Sequence, residues 1–186
     1  MKENWQVVLA GEGGQGLVVA GILLGEAAVM DGKNAAQTAS YGIASRGGLT
    51  QSEVVISDGD IAYPAVEDPD IVLALSRGAL DKYYGKVSEE CIIIYDSSLI
   101  PGEFKGKRVF GLPLSDKLEE LKKEKGLRVA LNVLSLGALS GRTGVVSLNA
   151  LEEAIKKQFK RGFETNRESL KAGFDMARSS CYFCSQ

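Results

Sequence analysis

Histidine is absent from this sequence of 186 residues, and cysteine, proline and tryptophan are scarce, at three, four and one residues. Without histidine the chain cannot by itself supply a Ser-His-Asp or Cys-His catalytic set, nor a histidine-containing zinc site. Three cysteines are too few for a four-cysteine zinc site, and their odd number does not suggest a secreted disulfide framework. If the protein takes part in catalysis, the reacting groups therefore belong to a cofactor or to another chain.

Long hydrophobic runs and a strong net charge are also missing. No apolar run reaches the roughly 18–20 residues that a membrane helix needs, and a formal net charge of −2 offers no general nucleic-acid surface. Residues 1–4 lead directly into a strand-like run, which leaves no room for a signal peptide. We therefore expect a cytoplasmic protein with one domain over residues 1–186 and with no nucleic-acid or membrane partner.

Strand-like and helix-like segments alternate along the chain, which predicts the α/β fold class: a layered, mainly parallel sheet flanked by helices. Continuous apolar runs, typical of strands buried on both faces, occur at 7–10, 70–76, 91–96 and 108–113. Helical patterns occupy 17–30, 115–126, 127–141, 150–162 and 166–179. Asn149 followed by Glu152 resembles a capping box for the fourth of these.

An antiparallel hairpin is predicted near residues 48–64. Residues 49–57 alternate as a half-buried strand does, and the turn Asp58-Gly59-Asp60 leads into an extended piece at 61–64. The hairpin accounts for both aspartates, so we expect no metal there.

A glycine-rich turn follows the first apolar run, where Gly11, Gly13 and Gly16 form G-x-G-x-x-G. Such a turn lets a phosphate approach the backbone at a helix N-terminus, although the motif alone equally suits an ordinary tight turn. NAD binding also needs an acid about 20 residues later, at the end of the second strand. The second strand is expected at 34–39. Residues 35–41 hold no acid and Asp31 precedes that strand, so we expect no NAD binding.

A second Gly/Ser-rich loop, residues 40–48, carries Arg46 between small residues. Arginine suits bidentate recognition of phosphate or carboxylate groups. The alternative is an arginine that pairs with a local surface carboxylate.

The C-terminal cysteines Cys181 and Cys184 have the C-x-x-C spacing that supplies half the ligands of an iron–sulfur cluster. Cys91 opens a buried run and is a poor third ligand. We therefore expect no cluster and no other metal on this chain.

Several longer motifs occur in one order along nearly the whole chain. They are GEGGQGLVVAGILLGEAA, SYGIASRGG, DPDIVLALS, NVLSLGALSGRTGVVSLNALEEAI and NRESLKAGFDMA. Together they resemble the gamma subunit of the 2-oxoacid:ferredoxin oxidoreductases, the pyruvate, 2-oxoglutarate and 2-oxoisovalerate type. The pairing of G-x-G-G-Q-G with a downstream R-G-G is the more specific part of this resemblance.

This resemblance implies a subunit of an enzyme of anaerobic metabolism that converts a 2-oxoacid, CoA and oxidised ferredoxin into an acyl-CoA, CO2 and reduced ferredoxin. Thiamine diphosphate, Mg and iron–sulfur clusters are implied on the alpha and beta subunits, and on delta where present, with none bound by this chain alone. The gamma part is implied to have no catalytic residue of its own, to contribute to the CoA side of the active site and to take part in assembly. Its implied CoA or phosphate contacts are Gly11, Gly13, Gly14, Gln15, Gly16, Ser45, Arg46, Gly47 and Gly48. Asn132 also belongs to the family pattern, in a structural role.

Two alternatives stay open at this point. One is a stand-alone nucleotide-binding or regulatory α/β module, and the other is a subunit of an indolepyruvate-type ferredoxin oxidoreductase. Neither the glycine turn nor the arginine loop distinguishes them.

Overall fold

The computed structural model describes residues 4–41, 48–106, 108–125 and 130–179, and within these ranges strands and helices alternate. The strands are β1 (Asn4–Glu12), β2 (Asn34–Tyr41), β3 (Leu49–Ser57), β4 (Ile71–Ala74), β5 (Ile92–Asp96) and β6 (Val109–Leu112). The helices are α1 (Leu17–Met30), α2 (Arg77–Tyr83), α3 (Leu114–Lys125), α4 (Leu131–Thr143), α5 (Leu148–Gln158) and α6 (Phe163–Ser179). None of the helices in these ranges has the length and apolar character that crossing a bilayer requires.

All six strands form one sheet in the order β2-β3-β1-β4-β5-β6. The strands from β1 to β6 along this order are parallel, whereas β3 is antiparallel to both β1 and β2. The predicted α/β class with a mainly parallel sheet is confirmed.

The predicted hairpin is correct for its first strand and wrong for its second. Residues 49–57 form β3 as expected, but 61–64 are not a strand. Both edges of β3 are already occupied, by β1 on one side and β2 on the other, so no edge remains for a further strand. The segment that follows β3 is instead held by Gln6, whose Oε1 accepts hydrogen bonds from the N–H groups of Glu67 (2.6 Å) and Asp68 (3.2 Å).

The sheet is covered on both faces, as its continuous apolar strands predict. Alternate residues of β1 divide between the two sides. Val7 and Leu9 join the larger core with α1, α3, α4, α5 and α6, whereas Val8 and Ala10 join a smaller core with α2. The larger core lies between the sheet and the helices of the C-terminal half.

Helices α4 and α6 approach so closely that their backbones touch, and glycines make this possible. A Cβ added at Gly137 of α4 would lie 2.0 Å from the carbonyl oxygen of Leu170. A Cβ added at Gly173 of α6 would lie 1.9 Å from the carbonyl oxygen of Leu134. Because the obstacles are backbone atoms, neither helix can admit a methyl group without moving away from the other.

The cap of the helix α5 lies two residues earlier than the predicted capping box. Ser147 is the capping residue, with its Oγ accepting from the N–H of Ala150 at 3.1 Å, and Asn149 lies inside the helix. Asp31, at the end of α1, fixes Ser147 through contacts of 2.6 Å to its N–H and 2.7 Å to its hydroxyl. The expectation that Asp31 precedes the second strand is confirmed, and its carboxylate is engaged in this contact.

We predict that Gly137→Ala lowers the free energy of unfolding by about 3 kcal/mol, because overpacking against backbone cannot be relieved by a rotamer change. At roughly 2–4 °C per kcal/mol for a chain of this size, the melting temperature falls by about 6–12 °C. Differential scanning calorimetry measures this shift.

The matched control is Gly78→Ala in α2, where an added Cβ meets no atom within 4 Å. Alanine is favoured over glycine in a helix, so this variant keeps or slightly raises the melting temperature. Equal melting temperatures for the two variants would contradict the close backbone contact.

Candidate functional site

The glycine turn joins β1 to α1 at the carboxyl end of the parallel strands. Gly14 and Gly16 have φ values of 92° and 76°, a left-handed conformation that side chains rarely adopt. Gly16 is the N-cap of α1 and has no side chain to satisfy the first helical N–H groups. Residues 12–14 are exposed at this point. The turn therefore presents the positive end of the helix dipole and its backbone to solvent.

This turn lies where the chain connections leave the sheet in opposite directions. From β1 the chain passes through α1 to β2 on one side, whereas from β4, the parallel neighbour of β1, it passes through α2 to β5 on the other. In open α/β sheets, ligands bind at such a switch point, in the crevice outside the carboxyl ends of the strands. The topology thus independently marks the sheet edge that the glycine motif predicts.

Gln15 shapes the turn from inside. Its Oε1 accepts from the N–H of Glu12 at 2.7 Å, and its Nε2 donates to the carbonyl oxygen of Leu75 at 2.9 Å, just beyond β4. A Cβ at Gly11 would lie 2.2 Å from this Oε1, so glycine at position 11 makes room for the folded-back amide. The side chain of Gln15 is therefore used within the chain, and only its backbone is left for the ligand contact predicted from the sequence.

Asn132 holds the other end of the turn. This buried residue in the first turn of α4 donates from Nδ2 to the carbonyl oxygen of Gly16 at 3.1 Å. The same oxygen accepts the first helical bond of α1, from the N–H of Ala20 at 2.9 Å. A Cβ at Gly16 would approach Nδ2 to 2.6 Å, so position 16 needs glycine for space as well as for its φ value. The structural role predicted for Asn132 is confirmed.

The arginine loop lies only partly in the described ranges. Ser45, Arg46 and Gly47 fall outside them, and Gly48 falls inside. The strand before the loop ends at Tyr41, and Tyr41 and Gly11 are paired with opposite sides of the same residue, Thr50. Two strand spacings of about 4.8 Å place these backbones about 10 Å apart. The described ends of the loop therefore lie at the same sheet edge as the glycine turn.

A cation at this edge was not predicted from the sequence. Arg77 is the first residue of α2, directly after the helix cap Ser76, and it follows β4 closely. Its side chain is 60% exposed, and its Nε contacts the carboxylate of Asp81 at 2.8 Å. The sequence did contain a signal for Arg77. This residue follows a buried parallel strand, and the carboxyl ends of parallel strands lie at one edge of the sheet.

A polar network below this edge fixes α2 against β3. Gln51 Oε1 accepts from Lys82 Nζ and from the Tyr83 hydroxyl, and Gln51 Nε2 donates to Glu53 at 2.6 Å. The pKa of Tyr83 is raised to about 12, mainly by burial and also by the nearby Glu53 carboxylate, while the hydrogen bond to Gln51 opposes the shift. Tyr83 therefore stays protonated near neutral pH and donates to Gln51. The alternation of β3 gave no indication of this network.

The second strand offers no acid in the place where a dinucleotide site holds the ribose. The strand β2 is uncharged throughout, and Asp31 is engaged with Ser147. The buried carboxylate of Asp96, at the end of β5, accepts from the hydroxyl of Ser115 at 2.5 Å and from its N–H, so it serves the start of α3. Across the described ranges, no three metal-ligating side chains come together. Cys181 and Cys184 lie outside these ranges, and Cys91 is buried at the start of β5.

The family described as pyruvate ferredoxin/flavodoxin oxidoreductase matches residues 6–176. The 2-oxoglutarate synthase subunit KorC of Methanothermobacter marburgensis is 39% identical over 180 residues, which cover 92% of this chain and 95% of that protein. The keto/oxoacid ferredoxin oxidoreductase gamma subunit of Geobacter sulfurreducens has a similar structure, with a TM-score of 0.82, 35% identity and coverage of 96% and 98% of the two chains.

The chain belongs to this oxidoreductase family. The resemblance to a gamma subunit is confirmed, and its relatives are subunits of 2-oxoacid:ferredoxin oxidoreductases. The 2-oxoglutarate:ferredoxin oxidoreductase of Magnetococcus marinus, solved with 2-oxoglutarate, coenzyme A and succinyl-CoA, also has the fold, with a TM-score of 0.82. The match covers 96% of this chain and 32% of that one, and at 22% identity it shows the fold alone.

Membership in this family favours an enzyme subunit over the stand-alone binding module. The indolepyruvate alternative is represented by subunit IorB of Methanothermobacter thermautotrophicus, which is 25% identical over 195 residues, 95% of this chain and 100% of that protein. Relatives named KorC reach 35–39%. This indolepyruvate subunit is therefore more distant from the chain than these KorC relatives are.

We predict that Asn132→Asp lowers the free energy of unfolding by about 2–3 kcal/mol. The variant replaces the N–H donor with a carboxylate oxygen that faces the Gly16 carbonyl oxygen, and an unsatisfied buried charged group carries at least this penalty. Urea unfolding monitored by circular dichroism measures the change.

Asn149→Asp is the control for the chemical change itself. Asn149 is exposed in the first turn of α5, where an acidic residue is favourable. We expect the free energy of unfolding of Asn149→Asp to be unchanged or slightly higher than that of the unmodified chain. If both variants unfold at the same urea concentration as the unmodified chain, the link between α4 and the glycine turn does not contribute to stability.

Proposed function

We propose that this chain is the subunit of a 2-oxoacid:ferredoxin oxidoreductase that binds CoA, in an enzyme that converts a 2-oxoacid, CoA and oxidised ferredoxin into an acyl-CoA, CO2 and reduced ferredoxin. The observation that carries the proposal is the exposed glycine turn at the switch point, in which the side-chain amide of Gln15 is held by bonds within the chain. An anionic ligand is what such a turn accommodates.

The contacts to CoA are assigned to two segments. Gly11, Gly13, Gly14, Gln15 and Gly16 offer the backbone at the start of α1, while Ser45, Arg46, Gly47 and Gly48 offer a cation and small residues. CoA carries a diphosphate and a 3′-phosphate, and a chain with a net charge of −2 must place cations locally to hold them. Arg46 is our first choice for this contact.

The reactive cofactors belong to other subunits in this proposal. The chain has no histidine, and its described residues bring no three metal ligands together, so they offer no fit for Mg or an iron–sulfur cluster. We place thiamine diphosphate, Mg and the clusters on alpha and beta subunits, with delta where present, and ferredoxin reaches the chain only through the complex. The cytoplasmic location and the single domain over 1–186 stay predictions.

We propose 2-oxoglutarate as the oxoacid, because the relatives named 2-oxoglutarate synthase subunit KorC are 35–39% identical to this chain. A ketoisovalerate subunit, VorA, is 33% identical, and its match covers only 37% of that protein. The oxoacid pocket itself is expected on the partner subunits, so activity of the assembled enzyme with each oxoacid decides this point.

The test is Arg46→Ala in the assembled enzyme, with CoA-dependent reduction of a dye by the 2-oxoacid as the assay. A charge-assisted contact contributes about 1.5–3 kcal/mol, which corresponds to roughly a ten- to hundredfold change in affinity. We expect the KM for CoA to rise by that factor while thermal stability and subunit assembly stay the same. Arg46→Lys recovers part of the loss, because the charge survives but the bidentate geometry does not.

Arg108→Ala is the matched control. Arg108 precedes β6 at the opposite, amino edge of the sheet, is 46% exposed and pairs with Glu90 at 2.6 Å. Its removal leaves the KM for CoA unchanged. If Arg46→Ala keeps normal CoA kinetics but dissociates the complex, the loop is a subunit contact and the CoA assignment is wrong.

A further inference from the structure

The helix α1 has an unusually apolar surface for a helix at the side of a sheet. Its 14 residues, LVVAGILLGEAAVM, include one charged residue, Glu26. A helix that is apolar on all sides is normally covered on all sides. Here one side packs into the larger core, but Val29 and Met30 at the far end are 59% and 44% exposed. The outer side of α1 therefore has the composition of a contact surface.

A groove runs along this outer side, between α1 and β2. Ile22, Gly25 and Val29 line it from the helix at spacings of three and four residues, and Ala35 and Gln37 line it from the strand. The groove encloses about 490 Å3. We call this groove, together with the free edge of β2, the α1–β2 surface.

The strand β2 is an edge strand without the features that normally keep edges from pairing. Its sequence, NAAQTASY, has no charge and no proline, and it pairs with β3 without a bulge along all eight residues. Natural edge strands are usually protected by lysine, proline, bulges or short length. The opposite edge, β6, is only four residues long. An unprotected edge beside an apolar helix indicates that another strand and helix cover both.

The charges on this surface cancel, which favours a neutral partner. Glu26 Oε1 pairs with Lys157 at 3.4 Å, and these are the only two charged residues among those that line the groove. An apolar surface whose charges already balance is complementary to a copy of itself.

We infer that the α1–β2 surface binds a second copy of this chain about a twofold axis, with the two β2 strands antiparallel. The position of α1 fits this arrangement: Gln37 Nε2 donates to the Val18 carbonyl oxygen, and Gly21 faces Ser52, so α1 lies over both β2 and β3. With strands about 4.8 Å apart, the axis of α1 lies about 5 Å from the twofold axis. The two α1 helices are then about 10 Å apart, the normal distance for packed helices.

This dimer leaves the glycine turn away from the contact. Because the two β2 strands run in opposite directions, the two glycine turns lie at opposite edges of the continuous sheet. Each turn follows β1, which is separated from the contact by β3 and β2. The inference does not depend on the proposed function, since no residue of the glycine turn takes part in the contact.

The test is sedimentation equilibrium of the full chain up to about 100 μM, a range that detects a micromolar dissociation constant. We expect a dimer for the unmodified chain. Val29→Glu places one new carboxylate from each copy in the apolar contact, so we expect the dissociation constant to rise at least about a hundredfold. Hydrogen exchange locates the contact, because the outward-facing amides of β2 are protected in the dimer and exchange rapidly in Val29→Glu.

Leu99→Glu is the matched control. Leu99 is 50% exposed and follows β5, which lies near the end of the strand order opposite β2. It remains dimeric, and all three proteins keep the same circular dichroism spectrum. A monomeric unmodified chain at every concentration overturns the inference, as does a dimer that survives Val29→Glu or leaves β2 amides unprotected. If the unmodified chain is monomeric and Val29→Glu is lost from the assembled enzyme, a different subunit occupies the surface.

Discussion

The carbonyl oxygen of Gly16 is the point on which the shape of the candidate site depends. It accepts the first helical bond of α1 from Ala20 and the side-chain bond of Asn132 from α4, 116 residues further along the chain. The amide of Gln15 fixes the preceding residues to the end of β4 in the same way. A turn of glycines would otherwise be the most flexible part of the edge, because glycine loses the most conformational freedom on folding. Two side-chain amides, the half-buried Gln15 and the buried Asn132, therefore fix the backbone of the glycine turn.

The close contact of α4 with α6 supports this arrangement from behind. Asn132 can reach Gly16 only if the start of α4 is held close to the sheet, and the glycines of both helices allow α6 to press directly on α4. The packing in the larger core and the geometry of the glycine turn are thus linked through one helix. Sheet topology adds the second requirement, since β1 and β2 are both antiparallel to β3 and so end at one edge. That edge carries the glycine turn and the described ends of the arginine loop, the two segments that we propose for CoA.

Much of the fold was predictable from local sequence patterns. The continuous apolar runs predicted the parallel strands, and the boundaries of α1 and β3 agree with the structure because a glycine turn and an alternating pattern mark them. The partner of β3 was not predictable from neighbouring residues: residues 61–64 are adjacent in sequence, yet β1 and β2 occupy both edges of that strand. The cap of α5 was misassigned for a similar reason, because Asp31, 116 residues away, selects Ser147 over Asn149. The roles of Gln15 and Arg77 depend likewise on strands distant in sequence, and only the assembled sheet shows them.

The most direct test of the central claim, that the glycine turn and the arginine loop hold the phosphates of CoA, is hydrogen exchange of the assembled enzyme with and without CoA. Mass spectrometry follows peptides that cover residues 11–16 and 40–48. The account predicts that saturating CoA slows exchange in both segments, that NADH slows neither, and that peptides at the opposite sheet edge, residues 84–91, do not respond. Unchanged exchange in residues 11–16 at a CoA concentration that supports full turnover would contradict it.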